Sequence, residues 1–266
     1  MINLLVVEDK EKHLADAKAY FAQKSSVVAV TYATTLHEAQ KSLEAKTDAV
    51  ISDVFFPLGA VPDPEQKIKE LESMLRPYAQ RLNNWELRQE VEFAMNKWAT
   101  WATQESPAGV YVDVNAQTKG IPIVFNTDQH HHSFALEPVN QWNNAKYNDK
   151  RMKYNDKRIK YTHMVESGTH KGPPAESKNW KLAFAAIVCL HEGLDAQAME
   201  GLYQLESHIA EFKRDLETAK KEGREKVETY RGPLTVDVAE KVLEQVGLEL
   251  KEKRTELQPI VDKYLI

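Results

Sequence analysis

The chain opens with "INLLVV", residues 2–7, a short leucine- and valine-rich run that Glu8-Asp9 cut off. From Lys10 the pattern turns helical, with Leu14, Ala17, Tyr20 and Phe21 spaced along one face. A second apolar run, "VVAVTY" at 27–32, reads as another strand. "TTLHEAQKSLEA" follows as a helix, with Thr34 or Thr35 as its N-cap. "DAVISD" is the third strand. Strands this continuously apolar, alternating with helices, predict a parallel sheet covered on both faces.

From about Asp63 to Gln104 that rhythm gives way to a strongly helical pattern, which Pro77 splits or kinks. Trp85, Trp98 and Trp101 would be costly to expose, so this stretch is expected to pack on the domain as a helical hairpin. The strand pattern resumes in "KGIPIVFNTD", with a fourth strand at 121–127, and a weak fifth follows in "YTHMV" near 161–165. "KNWKLAFAAIVCLHEGL" predicts an apolar helix near 178–191. Beyond Leu194 the chain reads as nearly all helix, with Leu202, Leu205, Ile209, Phe212 and Leu216 on one face. "YRGPLT" (230–235) is a turn in which Gly232-Pro233 ends one helix and Thr235 caps the next. That next helix is expected to break near Gly247 and again before Pro259. The predicted fold is α/β: a doubly wound, parallel, five-stranded sheet with a helical insertion and an α-helical C-terminal extension. Its expected domains are 1–57 with 108–192, the insertion 58–107, and the extension 193–266.

A chain of 266 residues can bury a sizeable core, and 42% hydrophobic with 28% charged residues is ordinary for a soluble globular protein. The net charge of −5 excludes a surface that is wholly a nucleic-acid footprint, though not a local basic patch. The single cysteine, Cys189 in "LAFAAIVCL", has no disulfide partner in the chain and reads as a core thiol. No run approaches the roughly 18 apolar residues that span a bilayer. The N-terminus lacks the basic start of a signal peptide. A cytoplasmic protein without membrane contact is the expectation.

The candidate chemistry lies where strands end. Glu8 and Asp9 follow the first strand, Asp53 the third, and Thr127 closes the fourth. Open parallel sheets bind ligands at the carboxyl ends of their strands. Three carboxylates converging there would repel one another unless a cation joined them, and hard oxygen donors suit Mg²⁺.

"LLVVEDKEKHLADA", "DAVISDVFFP" and "GIPIVFNTD" resemble three signature stretches of response-regulator receiver (CheY-like) domains, whose sheet is of the flavodoxin type. In that family an acidic pair follows the first strand. A phosphoacceptor aspartate precedes a proline by three or four residues, and Thr or Ser follows the fourth strand. The likeness covers residues 1–57 and 109–127 well, and 160–191 loosely. It implies that Glu8 and Asp9 hold Mg²⁺ together with Asp53, that Asp53 accepts a phosphoryl group, and that Thr127 hydrogen-bonds it. The partner it implies is a histidine kinase or other signalling protein within two-component signalling, the only chemistry being on the protein itself.

Two positions depart from the family pattern. A lysine is due directly after the fifth strand, where Glu166-Ser167 stand, and Lys171 in "THKGPP" is the nearest substitute. After Thr127 the family usually carries a small residue that lets the phosphodonor approach. Asp128 stands here instead and is expected to repel an anionic donor, since two charges 4 Å apart near a surface interact by about 4 kcal/mol. A non-phosphorylated pseudo-receiver is therefore an alternative, and a metal-dependent phosphatase a second. Haloacid-dehalogenase-like phosphatases use aspartates two residues apart, and "ISDVFF" has Phe55 at that place. His130, His131 and His132 read as a surface loop, with metal binding or gating of the crevice as its functional alternatives.

Residues 146–161, "KYNDKRMKYNDKRIKY", repeat a seven-residue unit twice and begin a third. Lys146, Lys150, Arg151, Lys153, Lys157, Arg158 and Lys160 against two aspartates make the segment +5, leaving −10 for the remainder. Interleaved tyrosines and cations can grip a phosphate backbone and stack on bases, and an acidic protein would satisfy the same charges. The bland reading is a duplication that extends a solvated segment. The amphipathic tail is expected to pack on the insertion or on a second copy, as a homodimer.

Overall fold

The computed structural model describes residues 1–59, 108–128, 162–166, 176–194, 196–228 and 232–265, with isolated positions between 63 and 76. The expected tryptophan-bearing hairpin, the three-histidine loop and the basic repeat lie outside the described residues. The chain forms two compact units, Met1–Leu194 and Asp195–Ile266. Among the described residues no helix is long and apolar enough to cross a membrane.

The first unit runs β1 (Ile2–Val7), α1 (Glu11–Ala22), β2 (Val28–Ala33), α2 (Leu36–Glu44) and β3 (Ala49–Ser52). After the insertion come α3 (Ala108–Thr118), β4 (Ile123–Thr127), β5 (Thr162–Glu166) and α4 (Trp180–His191). The strands form one parallel sheet in the order β2-β1-β3-β4-β5, the doubly wound arrangement.

Strand alternation divides the core. Leu5 and Val7 of β1, Val50 of β3, and Ile123 and Phe125 of β4 pack with Leu36, Ala39 and Leu43 of α2 and with Val112 and Ala116 of α3. Leu4, Val6, Ile51 and Val124 take the alternate positions and are fully buried too. On α1 and α4 an edge-to-face aromatic cluster joins Phe21 to Phe184 (centroids 5.5 Å apart) and to Trp180 (6.2 Å), each pair worth roughly 1 kcal/mol beyond its buried area.

Three local devices hold the rim above β3. Thr35 is the N-cap of α2, its hydroxyl accepting from the Glu38 N–H at 3.3 Å, while the Glu38 carboxylate accepts from the Thr34 N–H at 2.7 Å. The same helix start binds the loop after β3, the Leu36 and His37 amides donating to the carbonyls of Pro57 and Leu58. On the other side Gly109, in the first turn of α3, approaches so closely that a Cβ there would lie 2.5 Å from the Asp53 carbonyl oxygen. Its own N–H donates to the Val54 carbonyl at 2.9 Å. The chain is thus fastened where it leaves β3, at the start of α2, and where it enters α3, against Asp53 and Val54.

The second unit pairs α5 (Ala196–Lys221) with α6 (Val236–Ile260) through the two-residue antiparallel strands β6 (Lys226–Val227) and β7 (Leu234–Thr235). Leu216, Ala219, Val227 and Ala239 form its buried cluster near the turn. Four expectations are corrected here: α5 already ends at Lys221, ahead of Gly232-Pro233, and α6 continues past Pro259 to Ile260. α6 runs unbroken through Gly247, because one glycine costs a helix interior only about 1 kcal/mol. Thr235 occupies the N-cap position of α6 but makes no side-chain capping hydrogen bond, although the Val236 amide finds the Glu225 carbonyl at 3.1 Å. Pro259 sits inside the last turn of α6, and the winding widens to a π-turn over Val261–Leu265, as a missing N–H permits.

Candidate functional site

The strand order reverses between β1 and β3, since β2 lies outside β1 on one side and β4 and β5 lie beyond β3 on the other. The crevice of a doubly wound sheet opens at that place, beyond the carboxyl ends of its strands. The sequence ends both strands there in acids. The ladder runs one step further than the strands, with the Glu8 amide donating to Ala33 and the Asp53 amide to Val7, each at 2.9 Å. Continuing the Ser52–Phe125 register sets Asn126 of β4 beside Asp53, so Glu8, Asp53 and Asn126 form one fully buried polar row.

Glu8, Asp9 and Asp53 each offer a carboxylate oxygen, and these atoms lie within 4.8 Å of one another. Glu8 and Asp53 are buried and Asp9 is half-buried. Thr127 is buried at the end of β4. Asp53 has both oxygens engaged: Oδ1 accepts from the Val54 N–H at 2.7 Å and Oδ2 from Lys178 Nζ at 2.6 Å. The same Nζ donates to Glu8 Oε2 at 2.5 Å.

Lys178 is the residue that sequence reasoning missed. A lysine was expected directly after the fifth strand, with Lys171 as the substitute, and Lys171 lies outside the described residues. The lysine that meets the carboxylates stands twelve positions beyond the end of β5, just before Asn179. Asn179 is the N-cap of α4, its side chain accepting from the Leu182 amide at 3.0 Å. Lys178 therefore enters the crevice from the start of a helix rather than from a strand end. The one sequence signal was its place next to a capping asparagine ahead of a largely apolar helix.

The electrostatics follow from burial. Lys178 is fully buried, which opposes its charge, but Asp53 and Glu8 more than offset this and hold its pKa above the ordinary lysine value. The Glu8 carboxyl is pushed up to about 7, chiefly by burial; Lys178 pulls the other way and the Asp53 charge adds to the rise. One ammonium does not satisfy two buried carboxylates.

Asp128 departs from its expected role. Its carboxylate does not stand as an unmatched charge at the crevice: Oδ2 accepts from Lys10 Nζ at 2.7 Å and lies 3.4 Å from His13 Nε2. Burial alone would raise its pKa, yet Lys10, Lys178 and His13 together hold it below the usual carboxylate value. His13 is held below the ordinary histidine value by burial and by Lys178, against the pull of Asp128, so the contact is a hydrogen bond from a neutral ring at neutral pH. Lys10 also donates its backbone N–H to Glu8 Oε1 at 3.1 Å, which ties the two clusters together.

Among the described residues, Glu8, Asp9 and Asp53 thus gather at the crevice around Lys178, while Asp128 pairs with Lys10 beside it. Cys189 is buried on α4 and in no disulfide, in keeping with a core role. Comparison of the chain with family models, with curated proteins and with solved structures returns no match in any of the three.

Proposed function

We propose that this chain is a receiver-like signalling module whose Asp53 accepts a phosphoryl group, with Mg²⁺ held by Glu8, Asp9 and Asp53, and whose output is contact with another protein. The observation that carries this reading is the buried Lys178 ammonium bridging Glu8 and Asp53 at the reversal point of the sheet, with Asp9 within ligating distance of both.

Phosphoryl transfer asks mainly for positioning and charge neutralisation. The donor set is all hard carboxylate oxygen gathered within 4.8 Å, so the residues fit Mg²⁺. The bound ion would neutralise oxygens of the transferring group. The chain's own residues supply the rest. An Asp53 carboxylate oxygen forms the new bond to phosphorus while the donor's phosphorus–oxygen bond breaks, its electron pair leaving with the donor; for acetyl phosphate that leaving group is acetate. Lys178, already 2.6 Å from Asp53, neutralises charge on one side, and the Thr127 hydroxyl can donate to a phosphoryl oxygen. An acyl phosphate at this rim adds charge beside the fastened start of α3, where it can bias nearby backbone.

The test is incubation of the full chain with acetyl phosphate and Mg²⁺, read by intact-mass spectrometry. One phosphoryl adduct is expected, absent in Asp53→Asn and absent without the metal. Adduct formation in Asp53→Asn would refute the assignment. One observation favours a second reading, a non-phosphorylated pseudo-receiver: both Asp53 oxygens already accept hydrogen bonds from within the protein. No adduct in the wild type, together with no Mg²⁺ binding by calorimetry, would decide for it.

A further inference from the structure

Asn126, next to last in β4, is fully buried and follows the apolar Val124 and Phe125. It takes no part in the phosphoryl transfer proposed above. Register fixes where its side chain stands. Ser52 pairs with Phe125, so the next step sets Asn126 beside Asp53, and in-register neighbours on parallel strands leave the sheet on the same face. Thr127, one position on, leaves β4 on the other face, with Phe125. Glu8 flanks Asp53 on the β1 side and Asn126 flanks it on the β4 side.

Among the described residues neither Nδ2 nor Oδ1 of Asn126 has a hydrogen-bond partner. A buried amide in that condition has lost its hydration and gained nothing in exchange, and such groups are rare in folded proteins. Asp53 does not relieve it, since Oδ1 already accepts from the Val54 N–H and Oδ2 from Lys178. An amide with two N–H donors therefore stands unpartnered beside the nucleophile.

Resting on the receiver reading, we infer that Asn126 is a further catalytic residue, its Nδ2–H donating to an oxygen of the phosphoryl group as that group passes to Asp53. The covalent step is unchanged. An Asp53 oxygen bonds phosphorus, the donor's phosphorus–oxygen bond breaks, and acetate leaves acetyl phosphate with the electron pair. Asn126 forms no covalent bond and gives up no proton. The phosphoryl group brings acceptor oxygens to a place with Glu8 and Asp9 on one side and Asn126 on the other. The hydrogen bond is made only when that group arrives, so it favours the transition state and the acyl phosphate over the resting site. A neutral donor suits the position, because the charge of Asp53 is already met by Lys178.

The full chain, as wild type and Asn126→Val, is labelled with saturating acetyl phosphate and Mg²⁺ and followed by intact-mass spectrometry. The labelling rate should fall on the order of tenfold to a hundredfold in the variant. Mg²⁺ affinity by calorimetry should match the wild type. The melting temperature should hold or rise, because valine suits a strand and no hydrogen bond within the protein is lost. In amide NMR spectra, the side-chain signal that Asn126→Val removes should move downfield when the wild type is labelled, which packing alone would not produce. Asn126→Ala carries the same rate expectation if the valine variant fails to fold.

Labelling of the variant at the wild-type rate would overturn the inference alone. So would an Asn126 amide signal that labelling leaves in place, or a Mg²⁺ affinity that falls with the rate, which would make Asn126 a metal ligand. Absence of label in every chain would overturn the receiver reading and this inference with it.

Discussion

Charged side chains are placed in opposite ways in the two units. At the rim of the α/β unit, Lys178, Glu8 and Asp53 meet with their side chains at 0–1% exposure. In the helical unit Lys220 pairs with Glu240 and Arg254 with Glu206, all at least a third exposed. Exposed pairs contribute about 0–1 kcal/mol each and are screened by salt. Buried ions lose several kcal/mol of hydration apiece, and a well-packed apolar replacement is often as stable or more so. The contrast teaches that the helical unit's ion pairs decorate a helix pair held by its apolar seam. The rim cluster is costly, so stability alone does not explain its presence.

The sharpest way to break that comparison is Lys178→Met. It leaves two carboxylates buried without their cation and should lower stability by about 3–5 kcal/mol, read by denaturant unfolding of the full chain. A loss below about 1 kcal/mol would mean that water reaches the rim and that the two units do not differ in kind.

Glu8→Gln should act in the other direction. The folded-state pKa of Glu8 is raised from 4.5 to about 7, so between those values the folded protein holds a proton that the unfolded chain has released. Glu8 therefore makes wild-type stability fall as pH rises from 4.5 to 7, and the whole penalty, up to roughly 3 kcal/mol, is present above pH 7. The glutamine variant should match wild type near pH 4, melt higher near pH 8, and lose Mg²⁺ affinity. A difference that does not change with pH would refute the raised pKa.

Gly109→Ala sharpens the comparison at backbone level. The new Cβ would lie 2.5 Å from the Asp53 carbonyl oxygen and 2.8 Å from the Val54 Cα, neither of which can rotate away. A loss of about 1–3 kcal/mol is expected, together with slower labelling of Asp53 by acetyl phosphate. Labelling at the wild-type rate would show that Asp53 tolerates movement of its backbone.

Smallest of all, Lys220→Ala should cost under about 1 kcal/mol, and less at high salt, although its contact with Glu240 is short. A loss rivalling that of Lys178→Met would end the distinction between the units.

Much of the fold was legible along the chain because local pattern and tertiary demand agree there. "INLLVV", "VVAVTY" and "DAVISD" lie in or just around β1, β2 and β3 because strands buried on both faces must be apolar throughout. Thr35 reads as a cap, and its hydroxyl makes that bond. Residues 108–118 carried no predicted element. "VYVDVN" alternates with the period of a strand yet lies in α3, whose β-branched residues are tolerated because the helix packs Val110, Val112 and Ala116 into the core. The acids Glu8, Asp9 and Asp53 were legible as a group, since the ends of adjacent parallel strands must be neighbours in space.

Their partners were not legible in that way. Lys178 lies 125 residues from Asp53, and Asp128 is 118 from Lys10. A lysine is flexible and common, and nothing in its neighbours along the chain marks which one will be buried. Asp128 looked like an unmatched charge because sequence shows what stands next to it and not what reaches across from β1. Short-range pattern therefore determined the strands, the helix start at Thr35 and the acidic rim. Long-range packing alone decided which cations meet those acids, because ion pairing depends on separation in space, and only the folded sheet sets that separation.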